Sequence, residues 1–355
     1  MSNKFCRFLS NGYSINLTES LLVKPCCWYE GVDASREELN AITDWTPACQ
    51  ICHQQEQAGH QSFRQSSFDI LPESDNLAVM ALDINIDYNC NAACVICDEK
   101  SSSLWHQQLS KHKVIHIAPD YDPQLQLDHI LANTDLSELR RIKFFGGEPL
   151  LTDTHLQVLK KIPYPEQVDI WYTTNASIVP AADVLDIWSK FKLVYVEASL
   201  DGIGEQFNYI RWPMQWRKVE RNLLTLREIV PVNVLFRINH TLNPFNIYYY
   251  DRLETWVADN FSENRLGDPT EINIHPCWGI WALDKTPTAL RNAVQIKYPN
   301  HNISNLLAQC ELQPHDAILE FTEMWDPIRK NNWKTEFPEI VNYFETYQPG
   351  LADTH

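Results

Sequence analysis

The sequence predicts an α/β fold of six strand-then-helix units, preceded by a small cysteine-rich segment and followed by a helical stretch. Three observations carry this reading. From about residue 78, runs rich in β-branched and aromatic residues alternate with blocks of helical period. Eight of the ten cysteines lie before residue 98. Beyond residue 281 the apolar residues recur at helical spacing.

The strand candidates are residues 78–89 (LAVMALDINIDY), 141–147 (RIKFFGG), 168–177 (VDIWYTTNAS), 193–202 (LVYVEASLDG), 232–243 (VNVLFRINHTLN) and 272–280 (INIHPCWGI). Their composition is that of buried parallel strands. Between them HLQVLKKI, DVLDIWSKF, WRKVERNLLTLREIV and YYYDRLETWVADNF each place apolar residues on one helical face. Residues 113–139 read as an insertion before the second strand, and TALRNAVQIKY, AILEFTEMW and EIVNYFETY as helices of the C-terminal stretch. Residues 1–75 combine short segments, paired cysteines and turn-forming residues, with too little apolar content for a large core, and call for a metal staple. The expected domains are therefore 1–75, 76–280 and 281–355.

At 355 residues the chain has room for a barrel-sized domain and a smaller module. Apolar residues make up 44% and charged residues 21%, which is a globular composition. Lys and Arg total 29 against 46 Asp and Glu, a net charge of −17 that repels nucleic acid and anionic lipid alike. The first twenty residues lack the apolar core of a signal peptide, and no run approaches the roughly 18 apolar residues of a membrane span. A cytoplasmic protein is expected, and cytosolic thiols are kept reduced, so ten cysteines point to metal binding rather than disulfides.

Cys90, Cys94 and Cys97 follow the first long strand directly, at the carboxyl end that forms the catalytic face in a barrel of parallel strands. Three thiolates on a four-iron cubane leave one iron open, where an electron-transfer cluster has four cysteines. A zinc site completed by a histidine such as His106 is the competing reading. The second strand ends in Gly146-Gly147-Glu148-Pro149, where glycines allow close backbone approach and a carboxylate suits an ammonium group.

On these residues the sequence resembles the radical S-adenosylmethionine (SAM) superfamily, whose signature is this Cys-x3-Cys-x2-Cys spacing, and Gly146 to Pro149 resembles its GGEP element. The resemblance implies a partial (β/α)6 TIM-type barrel over roughly residues 78–280 and a catalytic 4Fe-4S cluster on Cys90, Cys94 and Cys97. It implies SAM contacts from Gly146, Gly147, Glu148 and Pro149, and from Thr174, Asn175, Ser199 and Asp201 at the ends of the third and fourth strands. Such short polar residues serve equally as helix caps. The implied reaction is reductive cleavage of SAM to a 5′-deoxyadenosyl radical that abstracts a substrate hydrogen, with an electron donor such as flavodoxin or ferredoxin.

Cys6, the pair Cys26-Cys27, and Cys49-x2-Cys52 supply five thiols, one more than a fully ligated cluster requires. Adjacent side chains point in different directions, so Cys26, following Pro25, is the favoured fourth ligand beside Cys6, Cys49 and Cys52. A structural zinc knuckle is the alternative. The segment from Cys49 to Gln65, with Glu56, Ser62 and Arg64, resembles the twitch or SPASM-like subgroup of that superfamily, as does Asn208-Tyr209-Ile210-Arg211-Trp212. The subgroup implies an auxiliary iron-sulfur cluster of the 4Fe-4S type, although its modules commonly follow the barrel.

Auxiliary-cluster members often modify ribosomally made peptides, and the resemblance implies that substrate class. The alternatives are dehydrogenation or rearrangement of a sugar, amino acid or nucleotide and, more distantly, a non-catalytic iron-sulfur or zinc protein. Tyr209 and Arg211 lie just beyond the fourth strand, placed to hold substrate or to brace a loop. Cys277, near the end of the sixth strand, is either a hydrogen donor facing the cavity or an inert buried thiol.

Overall fold

A computed structural model of the protein describes residues 5–17, 23–31, 35–57, 59, 61–112 and 122–345. The first part of the expected insertion, residues 113–121, and the end of the C-terminal stretch, 346–355, lie outside the described residues. So do residues 1–4, 18–22, 32–34, 58 and 60 of the N-terminal segment.

Eight strands form one sheet: β1 Gly12–Asn16, β2 Val23–Lys24, β3 Ala81–Asn85, β4 Arg141–Phe145, β5 Asp169–Thr174, β6 Leu193–Ser199, β7 Val234–Leu242 and β8 Ile272–Pro276. Their order is β2-β1-β3-β4-β5-β6-β7-β8. Seven are parallel, and only β2 runs against its neighbour β1. The six expected strands are β3 to β8. The segment before residue 76, expected as a module of its own, adds β1 and β2 to the same sheet; five residues with a single β-branched side chain gave no strand signal, and β1 owes its conformation to pairing with β3.

Alternation along each strand sorts the side chains. Leu82, Ile84, Ile142, Phe144, Ile170, Tyr172, Val194 and Val196 are buried on one face, against helices that follow β4 to β7. Among these helices, Trp216–Ile229 buries Trp216, Val219, Leu223 and Leu226, the single face its period predicts. Each such apolar side chain removed from water contributes about 1.5–3 kcal/mol.

The other face is polar, and the sheet curls around it. Four strand spacings separate β4 from β8, about 19 Å in a flat sheet. Yet Lys143 on β4 and Glu197 on β6 both act electrostatically on His275 of β8. Parallel strands twisted in one sense bend into such a trough.

A second core joins the C-terminal helices to the loop after β7. Phe245 is its centre, with ring centroids of Trp281, Trp333, Phe337 and Phe344 between 5.0 and 5.3 Å away. These helices stand over the carboxyl ends of the strands. Among the described residues, no helix is long and apolar enough to cross a membrane.

Candidate active site

The loop after β3 carries Cys90, Cys94 and Cys97, and its backbone is held at nearly every residue. The Cys90 N–H donates to Ser103 Oγ at 3.1 Å. Ser102 caps the helix Ser103–Lys111 and donates its hydroxyl to the Ala92 carbonyl at 2.6 Å. Trp105 Nε1 donates to the Cys94 carbonyl at 2.7 Å. From the other side, the Trp212 carbonyl accepts from the Ala93 N–H at 2.7 Å and the Ile210 carbonyl from the Val95 N–H at 2.8 Å. With the backbone committed, the thiols are the groups left to act. Burial pushes all three up, Cys90 to about 12, so thiolates there require a compensating cation.

The Gly146–Pro149 loop lies directly on this one. Gly147 N–H donates to the Asp87 carbonyl and Glu148 N–H to the Asn89 carbonyl, both at 2.8 Å. A Cβ on Gly147 would sit 2.2 Å from the Asn89 carbonyl oxygen. Gly146, at φ +123°, would bring one within 2.3 Å of Asn85 Oδ1. The glycines thus let two strand-end loops touch, in addition to leaving room for a ligand. Pro149 opens a short 3-10 turn with its ring at the first position, where its missing N–H costs nothing.

Glu148 is 3% exposed. Its Oε1 accepts from Leu150 N–H at 3.2 Å and Thr174 Oγ1 at 2.7 Å, and its Oε2 from Asn175 N–H at 2.6 Å. Burial nevertheless raises its pKa above the usual carboxylate range. Asn175 continues the chain of contacts, its Nδ2 2.8 Å from Asn91 Oδ1 and 3.9 Å from Cys90 Sγ. Thr174 and Asn175 therefore join Glu148 to the cysteine loop, and Ser199 ends β6 half-buried.

Asp201, with no exposure, pairs with Arg211 at 2.7 Å and accepts from Thr241 N–H at 2.7 Å. Tyr209 is buried, its hydroxyl 2.8 Å from Asp326 Oδ1 and its ring edge-on to Phe337. The phrase from Asn208 to Trp212 is accounted for residue by residue. Asn208 Oδ1 accepts from Trp216 N–H, Tyr209 and Arg211 hold acids, and Ile210 and Trp212 hold the cysteine loop. Cys277 is buried, its Sγ 3.6 Å from the Trp278 carbonyl, with burial pushing it up to about 12.

Cys6, Cys26, Cys49 and Cys52 border one cavity, walled otherwise mainly by apolar residues such as Phe8, Leu9 and Phe63, with Arg64 also on its lining. Cys27 turns away to hydrogen-bonding reach of Asp83, near Lys143 and Arg141. Glu56 accepts from Arg64 Nε at 2.9 Å and Nη2 at 2.7 Å, and Ser62 and Gln65 form a capping box, so this motif clamps the Cys49–Cys52 turn to the helix Phe63–Ile70. Among the described residues, no three His, Cys, Asp or Glu side chains gather tightly enough for a single metal ion.

Sequence reasoning missed two features. The polar face of the trough holds a Lys143–Glu197 pair at 2.7 Å with Thr173 on the same carboxylate oxygen, and a buried Arg141–Asp83 pair. The alternation of charged with apolar residues in RIKFF and LVYVEAS was the available signal. Second, a cavity of about 540 Å³ opens beside Cys97, lined by Ile96, Trp105, Trp278, Trp281, Phe321 and Trp325 among others. It joins three distant segments, so no local pattern marks it.

No protein-family model matches this chain, and neither does any curated protein. Among solved structures, native anSMEcpe with bound AdoMet is similar at 16% identity and a TM-score of 0.40, over 69% of this chain and 66% of that one. The chain thus spans just under two thirds of that protein. Streptococcus suis SuiB bound to its precursor peptide SuiA is similar at 12% identity and a TM-score of 0.38, over 94% of this chain and 74% of that one.

Proposed function

We propose that this chain is a cytoplasmic radical SAM enzyme of the twitch or SPASM-like kind, acting on a ribosomally made peptide. One observation carries the reading: the Gly146–Pro149 loop is joined backbone to backbone, at adjacent strand ends, to Asp87 and Asn89 on the loop that carries Cys90, Cys94 and Cys97. Soft thiolates suit iron-sulfur ligation, and three on one anchored loop fit a cluster with an open iron. Held there with SAM, a 4Fe-4S cluster would supply the one-electron chemistry that generates a radical for hydrogen abstraction.

The chain's own residues do the rest. Ser102, Trp105, Ile210 and Trp212 fix the cysteine loop, and Gly146 and Gly147 keep the second loop against it. Glu148 and the ends of β5 and β6 offer SAM a carboxylate, hydroxyls and an amide. The aromatic cavity beside Cys97 has the volume for a peptide side chain. Cys6, Cys26, Cys49 and Cys52 would hold the auxiliary cluster, four thiols matching full ligation. A small flavodoxin- or ferredoxin-like donor supplies electrons.

The charged trough face, with Lys143, Glu197 and His275, favours a second reading in which the substrate is a small polar molecule. Anaerobic reconstitution and reduction with SAM tests the chemistry. The expected product is 5′-deoxyadenosine, lost in a Cys90→Ala, Cys94→Ala, Cys97→Ala variant. Glu148→Gln should weaken SAM binding by about 1–3 kcal/mol. Iron-loaded protein that leaves SAM intact overturns the proposal, and mass spectrometry of host peptides against host metabolites decides between the substrates.

A further inference from the structure

The helix Asp316–Arg329 presents one face to the interior: Ile318, Thr322, Trp325 and Arg329, at spacings of four, three and four. The last of these is a guanidinium only 5% exposed. Its Nε and both Nη atoms have no hydrogen-bond partner among the described residues. It is caged instead by rings, with the guanidinium carbon 4.4 Å from the Trp105 centroid, 5.1 Å from Trp212 and 5.4 Å from Trp325. Ring faces return only part of the hydration that a buried cation gives up.

Asp326 lies within electrostatic reach of the guanidinium but makes no hydrogen bond to it. Asp326, one turn back, accepts from the Tyr209 hydroxyl and from Trp333 N–H, both at 2.8 Å. Two walls of the cage, however, are anchors of the cysteine loop, since Trp105 Nε1 holds the Cys94 carbonyl and the Trp212 carbonyl holds Ala93 N–H. Cys94 is within electrostatic reach of Arg329. Burial lowers the guanidinium's pKa to about 10, so it stays charged at neutral pH. Arg211 also approaches Cys94, but Asp201 already neutralises it.

We infer that Arg329 is a counter-charge to Cys94, a positioning residue that stabilises negative charge on the cysteine loop and makes reduction of a metal group held there easier. The inference rests on the radical SAM reading and extends it to the C-terminal helix. A fixed cation outside the ligand sphere favours the more negative state of a bound cluster. Apart from the cysteine loop, Arg329 has only partial compensation, from Asp326.

The test compares Arg329→Met with Arg329→Lys, with and without iron. Metal-free Arg329→Met should melt above metal-free wild type, because a buried guanidinium with no hydrogen-bond partner is gone. In reconstituted protein, an EPR-monitored redox titration of the signal that Cys90→Ala abolishes should show reduction about tenfold less favourable in Arg329→Met, about 59 mV for one electron. Arg329→Lys should stay within about threefold of wild type. Loss of that iron in the Met but not the Lys variant supports the inference equally. A Met variant with unchanged potential overturns it, as does a metal-free Met variant melting below wild type, which marks Arg329 as a packing brace. If wild type holds no more iron than the triple cysteine variant, the radical SAM reading itself fails, and the metal-free melting comparison separates that failure from this one.

Discussion

Arg211 and Asp201 form an ion pair at 2.7 Å, with the carboxylate wholly buried and the guanidinium side chain 10% exposed. The pair ties the end of β6 to the helix end and turn, Ile210 to Trp212, that hold the cysteine loop. Removing one member leaves the other charged in the interior, which costs far more than removing both. Asp201→Asn keeps an acceptor for Thr241 N–H and should lose about 3–5 kcal/mol in urea denaturation. Asp201→Asn with Arg211→Met should lose less than the single change. Equal losses would mean that charge is not the operative property.

Gly147→Ala adds one methyl group where the Asn89 carbonyl oxygen stands 2.2 Å away. The atoms it would meet, on Asn89 and Tyr88, are all backbone, so the loops must separate. We expect a loss of about 3 kcal/mol or more and, in reconstituted protein, loss of the iron held by Cys90, Cys94 and Cys97. Retention of full iron would show that the two loops need not touch.

The adjacent thiols Cys26 and Cys27 should behave oppositely. Cys26 borders the cavity shared with Cys6, Cys49 and Cys52, whereas Cys27 faces Asp83. Cys26→Ala should remove roughly half of about eight irons per chain, the content of two four-iron clusters, while Cys27→Ala keeps them. Iron and sulfide assays on purified variants decide, and stoichiometric zinc in wild type would replace the second cluster with a structural ion.

His155 is buried 2.6 Å from the Tyr172 hydroxyl, and burial lowers its pKa to about 4. In the unfolded chain the imidazole titrates near 6.5. Between these values the unfolded state binds more protons, so stability falls as pH drops from about 6.5 to about 4, by roughly 3 kcal/mol over the whole window. His155→Gln should flatten that slope relative to wild type in chemical denaturation at a series of pH values. A slope unchanged by the substitution would assign it to other groups.

The strands β3 to β8 and the helices between them were legible because a buried sheet face or helical stripe demands residue types that a local window reveals. The same holds for Cys90, Cys94, Cys97 and the Gly146–Pro149 loop, whose spacing is itself the signal. β1 and β2 were not legible, since their own residues carry little strand signal and β1 is held by its pairing with β3.

The sequence by itself determined an α/β chain with parallel strands, a three-cysteine loop at a strand's carboxyl end and a second group of thiols near the N-terminus. Only the tertiary structure decided that Asp201 faces Arg211, that Glu148 braces Thr174 and Asn175, and that Cys26 and Cys27 part company. It also placed Arg329, more than 230 residues from the cysteine loop in the chain, within reach of Cys94. Periodicity reports which face of an element is buried. The partner that face meets depends on how the sheet curls and where distant helices close over it, and charge pairing across such contacts leaves no trace in any local window.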